Sequence, residues 1–312
     1  MALPPNCVRG WNVVKQYESW NRCARAQCLE SATMKSFADM LVLAFVMSSV
    51  LSVGMFLSWQ QILVPLRQFR LLALALLANF VVVPVVAVAL ARGMSLNEPQ
   101  SVGLILLGAA AGAPFVPKLI ETARGDVALS VATMVLLMVG SLICLPLLLP
   151  IMLPGVTVNS GKIAQSLLIT MIFPLVLGLV LKAFLPAWAD GLRPFLNLIS
   201  QITLLLSLTL ICVHQFHGLQ QLIVTWAIPA CVTLVVVSFV IGFAVGGPAR
   251  SSRETMGFGT AGRNIPAALL VGGQNFENPE VMLMIILSAL VSVVIFVPIA
   301  LLAGRRGTSQ SA

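Results

Sequence analysis

The sequence predicts an all-α polytopic membrane protein, and three observations support that fold class. The chain of 312 residues is 59% hydrophobic and only 9% charged, whereas soluble domains carry about 25% charged residues. Apolar runs of about 20 residues, the length that crosses a bilayer as a helix, recur along the chain. The runs are continuous rather than alternating in polarity, which favours helices over strands. The lipid bilayer is therefore an expected partner.

We predict about nine transmembrane helices, joined by short connections with turn-forming residues. Their predicted ranges are 37–57, 68–91, 99–122, 126–152, 163–185, 194–213, 222–246, 254–275 and 281–304. Together they form a single transmembrane domain over 37–304, between a polar N-terminal tail (1–36) and a short C-terminal tail (305–312). Met34 directly precedes the first span, so translation is expected to start at either Met1 or Met34, which N-terminal sequencing would distinguish.

The basic residues predict the orientation in the membrane. One side carries most of them, in the loops and at the helix ends, and this side is expected to be cytoplasmic. These residues are Arg67, Arg70, Arg124, Lys182, Arg193, Arg250, Arg253, Arg305 and Arg306. The N-terminus is then outside and the C-terminus is cytoplasmic, as in a bacterial inner-membrane protein. The net charge of +8 is thus explained by topology, and no nucleic-acid partner is expected.

Two of the predicted spans contain helix-breaking residues. Span 99–122 includes GAAAGAPFVPK, with Pro114 and Pro117, and span 254–275 includes GFGTAGRNIP, with Pro266. Proline removes a helix hydrogen bond and clashes with the preceding turn, and clustered glycines add backbone freedom. Both spans are therefore predicted to be discontinuous.

The two broken spans predict an internal repeat. They lie about 155 residues apart, and a shift of that size also pairs the other spans of 37–152 with those of 194–304. The helix 163–185 has no counterpart and acts as a linker, so the second repeat would be inverted in the membrane. Inverted repeats with broken helices at matching positions are typical of secondary transporters, whose binding site lies where the breaks cross.

At these residues the chain resembles the bile acid:sodium symporter family. The resemblance covers about 37–304 and is carried by ANFVVVPVVA (78–87), ARGDVALSV (123–131) and, most specifically, GRNIPAALLVGGQNFENPEV (262–281). It implies a core domain with two crossing discontinuous helices, a panel domain, and a substrate site in the cleft between them. It also implies that the chain is a transporter. A membrane-embedded protease is not expected, because the predicted spans contain no acidic pair, Ser/His pair or HExxH motif, and no cofactor is expected.

The chain departs from the family pattern at the residues that bind sodium. Where the family has a Ser-Asn pair this sequence has Val116-Pro117, and the family's glutamate and glutamine align with Gly259 and Arg263. Ser130 matches a sodium ligand, whereas a family threonine falls at Met134, beside Thr133. Asn79 lies at a polar family position. We therefore expect that the usual sodium sites are lost and that no metal is bound.

Two cations, Lys118 and Arg263, accompany the breaks. A charge at the centre of a membrane helix costs roughly 2.5–3.5 kcal/mol and usually has a function. We expect the pair to replace the bound sodium ions, hold the crossover together and attract a small organic anion. Two other roles stay open: Lys118 as a snorkelling residue near a helix end, and Arg263 as a clamp on broken backbone carbonyls.

Nearby polar residues complete the predicted crossover site. Thr260 and Asn264 are expected to bond to the substrate or to the broken backbone, and Asp126 to cap the helix that it precedes.

The leading prediction is a secondary transporter of a small organic anion that works by alternating access, with proton coupling or none. Alternatives are a sodium symporter with a rebuilt site, an arsenite-type exporter and a non-transporting membrane sensor. Arsenite is disfavoured because the first break has no cysteine.

Overall fold

The computed structural model describes residues 36–57, 68–153, 159–216, 218, 220, 225–276 and 278–308. Within these ranges every regular element is a helix, and one isolated β-bridge joins Ala111 to Arg263. Residues 1–35, which include Met34 and nearly all of the predicted N-terminal tail, and residues 309–312 lie outside the described residues.

Seven of the described helices are long and apolar enough to cross a membrane. They are α1 (Ser36–Phe56), α2 (Phe69–Gly93), α5 (Val127–Met152), α6 (Ser160–Phe184), α7 (Pro186–His214), α8 (Ala227–Val245) and α11 (Pro279–Thr308). Four shorter helices are α3 (Glu98–Ala109), α4 (Val116–Thr122), α9 (Arg250–Ala261) and α10 (Ile265–Asn275). The all-α polytopic fold is confirmed, whereas the count of nine spans stays a prediction.

Both spans that were predicted to be discontinuous are broken in the structure. The first is interrupted between α3 and α4, and the second between α9 and α10. Pro117 and Pro266 each occupy the second residue of the helix that follows the break. Proline is well tolerated there because an N–H in the first helical turn has no partner within the helix. These prolines therefore begin the second half-helix and do not kink a continuous one, and Pro114 lies in the turn before α4.

Gly112 allows the chain to turn within the first break. Its φ of +86° lies in the left-handed region, which residues with a Cβ adopt only at a cost. A Cβ at this position would also lie only 2.7 Å from Met138 Cα, on α5. The backbone of the break is thus packed directly against that of α5.

Two of the long helices contain a π-helical turn ahead of a proline. Ala78–Val82 in α2 precedes Pro84, and Leu168–Ile172 in α6 precedes Pro174. Such turns arise where the regular ladder of hydrogen bonds is disturbed, as by a proline, and they often occur at functional sites. The turn in α2 contains Asn79, one of the predicted site residues.

The two breaks lie in the buried interior of the protein. Residues 102–113 of α3 and the first break are all buried, as are 255–264 of α9 and the second break. α9 packs closely against α8, where a Cβ at Gly242 would lie 2.7 Å from Thr260 Oγ1. The exposed large apolar side chains lie mainly on α2, α6, α7 and α11, as expected for surfaces that contact lipid.

We predict that Gly112→Ala destabilises the protein. A Cβ at this position both strains the backbone and meets Met138, so we expect a loss of about 1–3 kcal/mol in the free energy of unfolding. Gly191→Ala on α7 is the matched control, because a Cβ there meets nothing within 4 Å and the helix gains propensity. Thermal unfolding in detergent measures both, and equal midpoints for the two variants would contradict the prediction.

Candidate functional site

The two breaks meet each other at the centre of the protein. The Asn264 N–H donates a hydrogen bond of 2.9 Å to the carbonyl oxygen of Ala110, and Ala111 and Arg263 form the antiparallel bridge. In this way a backbone group in each break, which has no partner within its own helix, finds a hydrogen-bond partner in the other break. Non-helical backbone is tolerated at membrane depth only when it is buried in protein or lines a watery cavity, and this contact provides the first of these conditions.

A serine that the sequence analysis missed completes the first break. Ser141 on α5 is fully buried, and its hydroxyl accepts from Ala111 N–H at 2.8 Å and donates to the Ala111 carbonyl oxygen at 2.9 Å. One side chain thus satisfies both backbone groups of a residue that no helix includes. A lone serine in the apolar stretch VGSLICL (139–145) was the available signal, but its partner lies 30 residues away in the chain.

Arg263 joins the two breaks through its side chain. The guanidinium donates from one nitrogen to Gly108 O at 3.2 Å and from the other to Thr260 O. Gly108 lies near the end of α3 and Thr260 near the end of α9, where carbonyl groups lose their helical partners. Arg263 is only 4% exposed, and no salt bridge in the described part of the chain includes it. This geometry matches the carbonyl clamp, one of the two roles left open above.

Lys118 has a different environment from Arg263. Its side chain is 79% exposed on α4, and its Nζ forms a salt bridge of 2.7 Å with Glu121, which is 60% exposed. The structure therefore does not bring Lys118 into the buried contact between the breaks. Its exposure and its pairing at a short helix match the snorkelling role.

Three more of the polar residues named above form hydrogen bonds that join or cap helices. Asn79 Nδ2 donates to Thr260 Oγ1 at 3.2 Å and to Ala75 O at 2.9 Å, so α2 is joined to α9. Asn264 caps α10, because its side-chain oxygen accepts from Ala267 N–H at 3.1 Å. Asp126 similarly caps α5 by accepting from Leu129 N–H, which confirms its predicted role.

Five of the predicted site residues have a buried polar atom that bonds to no described residue. Those atoms are Asn79 Oδ1, Ser130 Oγ, Thr133 Oγ1, Arg263 Nε and Asn264 Nδ2. Buried polar groups are hydrogen-bonded in the large majority of cases, so these atoms mark the candidate site.

Gly259 leaves open space beside this cluster. A Cβ at Gly259 would meet only Thr133 Cγ2, at 3.8 Å, which places Thr133 of α5 against α9. The resemblance described above aligns Gly259 with a glutamate of the related family. A glycine at this position supplies no carboxylate.

A cavity of about 410 Å³ lies between α1 and α10. It is lined by Asp39, Met40, Val42, Leu43, Leu269, Leu270, Gly273 and Gln274. Beside it, the Ser166 hydroxyl of α6 donates to Gln274 Oε1. Among the residues that the structure describes, no group of three or more His, Cys, Asp or Glu side chains is placed to hold a metal ion.

The fold and the site together define a polytopic integral membrane protein whose polar centre is built at two interrupted helices, the organisation of secondary transporters. The sequence model of the Sodium Bile acid symporter family matches residues 40–222. That match covers more than half of the chain, so the chain belongs to this family. Members of this family are transporters and not enzymes, which agrees with the class of protein predicted from the sequence.

The chain is also similar to two curated proteins. It is 30% identical over 112 residues to "Uncharacterized sodium-dependent transporter YocS" of Bacillus subtilis (strain 168), and the aligned region covers 36% of this chain and 35% of that protein. It is 23% identical over 240 residues to "Probable sodium/metabolite cotransporter BASS2, chloroplastic" of Oryza sativa subsp. japonica, and the aligned region covers 74% of this chain and 56% of that protein. The chain thus spans about a third and about half of the length of these two relatives.

We predict that the two cations differ sharply in their effect on stability. Arg263→Ala leaves two buried carbonyl groups unpaired, at about 1–3 kcal/mol each, so we expect the free energy of unfolding to fall by roughly 2–5 kcal/mol. Lys118→Ala removes only an exposed ion pair, which is worth about 0–1 kcal/mol. Arg263→Lys should fall between them, because an ammonium keeps the charge but lacks the fork that reaches both carbonyls. Thermal unfolding of the three variants tests this order.

Proposed function

We propose that the protein is a secondary transporter of a small organic anion, with Arg263 as the fixed positive charge at the centre of its pathway. The observation that carries this proposal is a buried guanidinium that bonds to carbonyls of both breaks and has no carboxylate partner in the described residues. An uncompensated buried charge is costly unless something pairs with it. An anionic substrate would be such a partner.

Arg263 also supports the proposal that the usual sodium sites are not used. Hard cations bind to oxygen ligands, and the guanidinium already bonds to two carbonyl oxygens at the breaks, Gly108 O and Thr260 O. A sodium ion placed about 4 Å from that charge would be repelled by about 4 kcal/mol at an effective dielectric constant of about 20. In this proposal the guanidinium supplies the positive charge that a bound sodium ion would otherwise supply, and coupling is to protons or does not occur.

Lys118 has a secondary part in this proposal. Its position on the exposed face of α4, paired with Glu121, suits attraction of anions to the mouth of the pathway. Thr260, Asn264 and the starts of α4 and α10, with their prolines, would line the pathway at the crossover. The partial positive charge at the start of α10 adds to that of Arg263.

We further propose nine membrane crossings, counting α3–α4 and α9–α10 as one crossing each. The repeats are then α1–α5 and α7–α11, with α6 between them, and the second is inverted relative to the first. The core domain contains both breaks, and α1, α6 and α7 belong to the panel domain. The C-terminus is cytoplasmic and the N-terminus outside, in a bacterial inner membrane.

The cavity between α1 and α10 would be one mouth of the cleft between core and panel. Its volume of about 410 Å³ is in the range of sites for small molecules. The bond between Ser166 and Gln274 joins α6 to α10, and alternating access would require this contact to break as the core moves against the panel.

A transport assay in proteoliposomes tests the role of Arg263. We expect Arg263→Ala to abolish uptake of the anion, and Arg263→Lys to retain uptake only if charge alone is sufficient. Ser207→Ala on α7 is the control for the general effect of removing a buried serine hydroxyl, since this hydroxyl bonds to Leu204 O of its own helix. Full uptake by Arg263→Ala would overturn the proposal.

A sodium symporter is the second candidate, because one observation favours it. Asn79 Oδ1, Ser130 Oγ and Thr133 Oγ1 are three buried oxygens without partners, and oxygen is the ligand that sodium prefers. The two curated relatives are also named as sodium-dependent or sodium-coupled proteins. A rebuilt sodium site would use these oxygens at a distance from Arg263.

The two candidates predict opposite responses to sodium. Thermal unfolding is measured in sodium chloride and in choline chloride, across a panel of small organic anions, because a ligand that binds the folded state raises its stability. We expect stabilisation by an anion without sodium. Stabilisation that requires sodium, and that Ser130→Ala and Thr133→Val both remove, would instead establish the second candidate.

A further inference from the structure

A second cavity lies at the crossover, enclosed by elements other than those that hold the Asn79, Ser130 and Thr133 oxygens. It is formed between α3, α8, α11 and the two breaks, and most of its lining is apolar, including Ile265 at the start of α10. The polar part of the lining is Arg263 with four residues that can donate a hydrogen bond: Cys231, Ser238, Ser288 and Ser292. Its accessible volume is about 10 Å³, which is room for a single water-sized particle. An organic substrate does not fit this space.

Two hydrogen-bond donors of residues that line the cavity have no partner. Ser238 is 1% exposed, and neither its hydroxyl nor Arg263 Nε–H has a partner among the described residues. The neighbouring donors are already engaged: Ser292 Oγ donates to Ser288 O at 2.7 Å, and Ser288 Oγ lies 2.8 Å from Cys231 Sγ. The two unpaired donors are therefore available to a bound species.

The cavity is also positively charged. An arginine guanidinium stays protonated in proteins, and among the described residues no acidic side chain lines the cavity. Ile265, the first residue of α10, lies in its wall, so the positive end of the helix dipole adds to the charge. A water molecule would satisfy the two donors but would leave this charge uncompensated, whereas an anion would do both.

We infer that this cavity binds a single monatomic anion, chloride, between Arg263 and Ser238. The inference rests on the same unpaired charge of Arg263 as the proposed function, and it adds that chloride is the counter-ion of the crossover while no organic anion is bound. Chloride accepts hydrogen bonds from Arg263 Nε–H and Ser238 Oγ–H, and it neutralises the guanidinium while the other two nitrogens bond to Gly108 and Thr260. Larger anions such as sulfate and gluconate are excluded by the size of the cavity.

The experiment measures thermal unfolding of the full chain in detergent without any organic substrate. Chloride replaces gluconate at constant sodium and constant ionic strength. We expect the midpoint to rise by about 2–4 °C once chloride exceeds its Kd about fivefold. Bromide should act like chloride, and sulfate should act like gluconate. A midpoint that does not respond to chloride would overturn the inference and assign the cavity to water.

Two serine variants locate the ion. Ser238→Ala removes one donor and should abolish the rise with chloride, while its midpoint in gluconate equals or exceeds that of the wild type because an unpaired buried hydroxyl is gone. Ser207→Ala, a buried serine on α7, which does not line the cavity, should keep the full response. An undiminished response in Ser238→Ala would place the ion elsewhere and contradict the inference.

A third variant keeps the inference testable if Ser238→Ala does not fold. Ser238→Cys keeps the shape of the side chain but donates only weakly, so it should raise the chloride concentration needed for half the effect. Binding of organic anions is measured separately in gluconate, so a failure of the chloride response is distinguished from a failure of organic-anion binding.

Discussion

The structure depends on the contact between two pieces of backbone that belong to no helix. A polypeptide inside a bilayer has no water to bond with, so each peptide group that leaves a helix must find a partner in the protein. Here the partners come from the opposite break and from α5: Ala110 with Asn264, Ala111 with Ser141, and Gly108 and Thr260 with Arg263. The surrounding long helices exclude lipid from this arrangement. Without the contact, the polar centre of the protein would be energetically untenable.

A guanidinium suits this position because of its shape as well as its charge. Its planar fork reaches two carbonyls that lie on different half-helices, which neither an ammonium nor a neutral amide could do in the same geometry. Two sets of polar groups accompany it at the crossover. Oxygens without partners among the described residues belong to α2 and α5, and the donors that line the small cavity with Arg263 belong to α8 and α11.

Much of the fold could be predicted from the sequence, because hydropathy and proline report local constraints. The long helices and both breaks follow from apolar runs and from Pro117 and Pro266, which act within one turn of their own position. The candidate site was harder to predict. Arg263 was identified because a charge in an apolar run is rare, but the same reasoning placed Lys118 beside it, and the structure shows an exposed ion pair. Ser141 and Ser238 were missed, since a serine in a membrane helix has no sequence feature that reveals its distant partner.

The reach of Arg263 along the chain has a consequence for how the protein is made. Its carbonyl partner Gly108 precedes it by 155 residues, and ribosomes add about 5–20 residues per second. For about 8–30 s after the first break is synthesised, its freed carbonyls lack the partners that they have in the finished protein. During this time the unpaired carbonyls of the first break must bond to the translocon, to a chaperone or to water. A ribosome that stops before residue 263 releases a chain that cannot close its own centre.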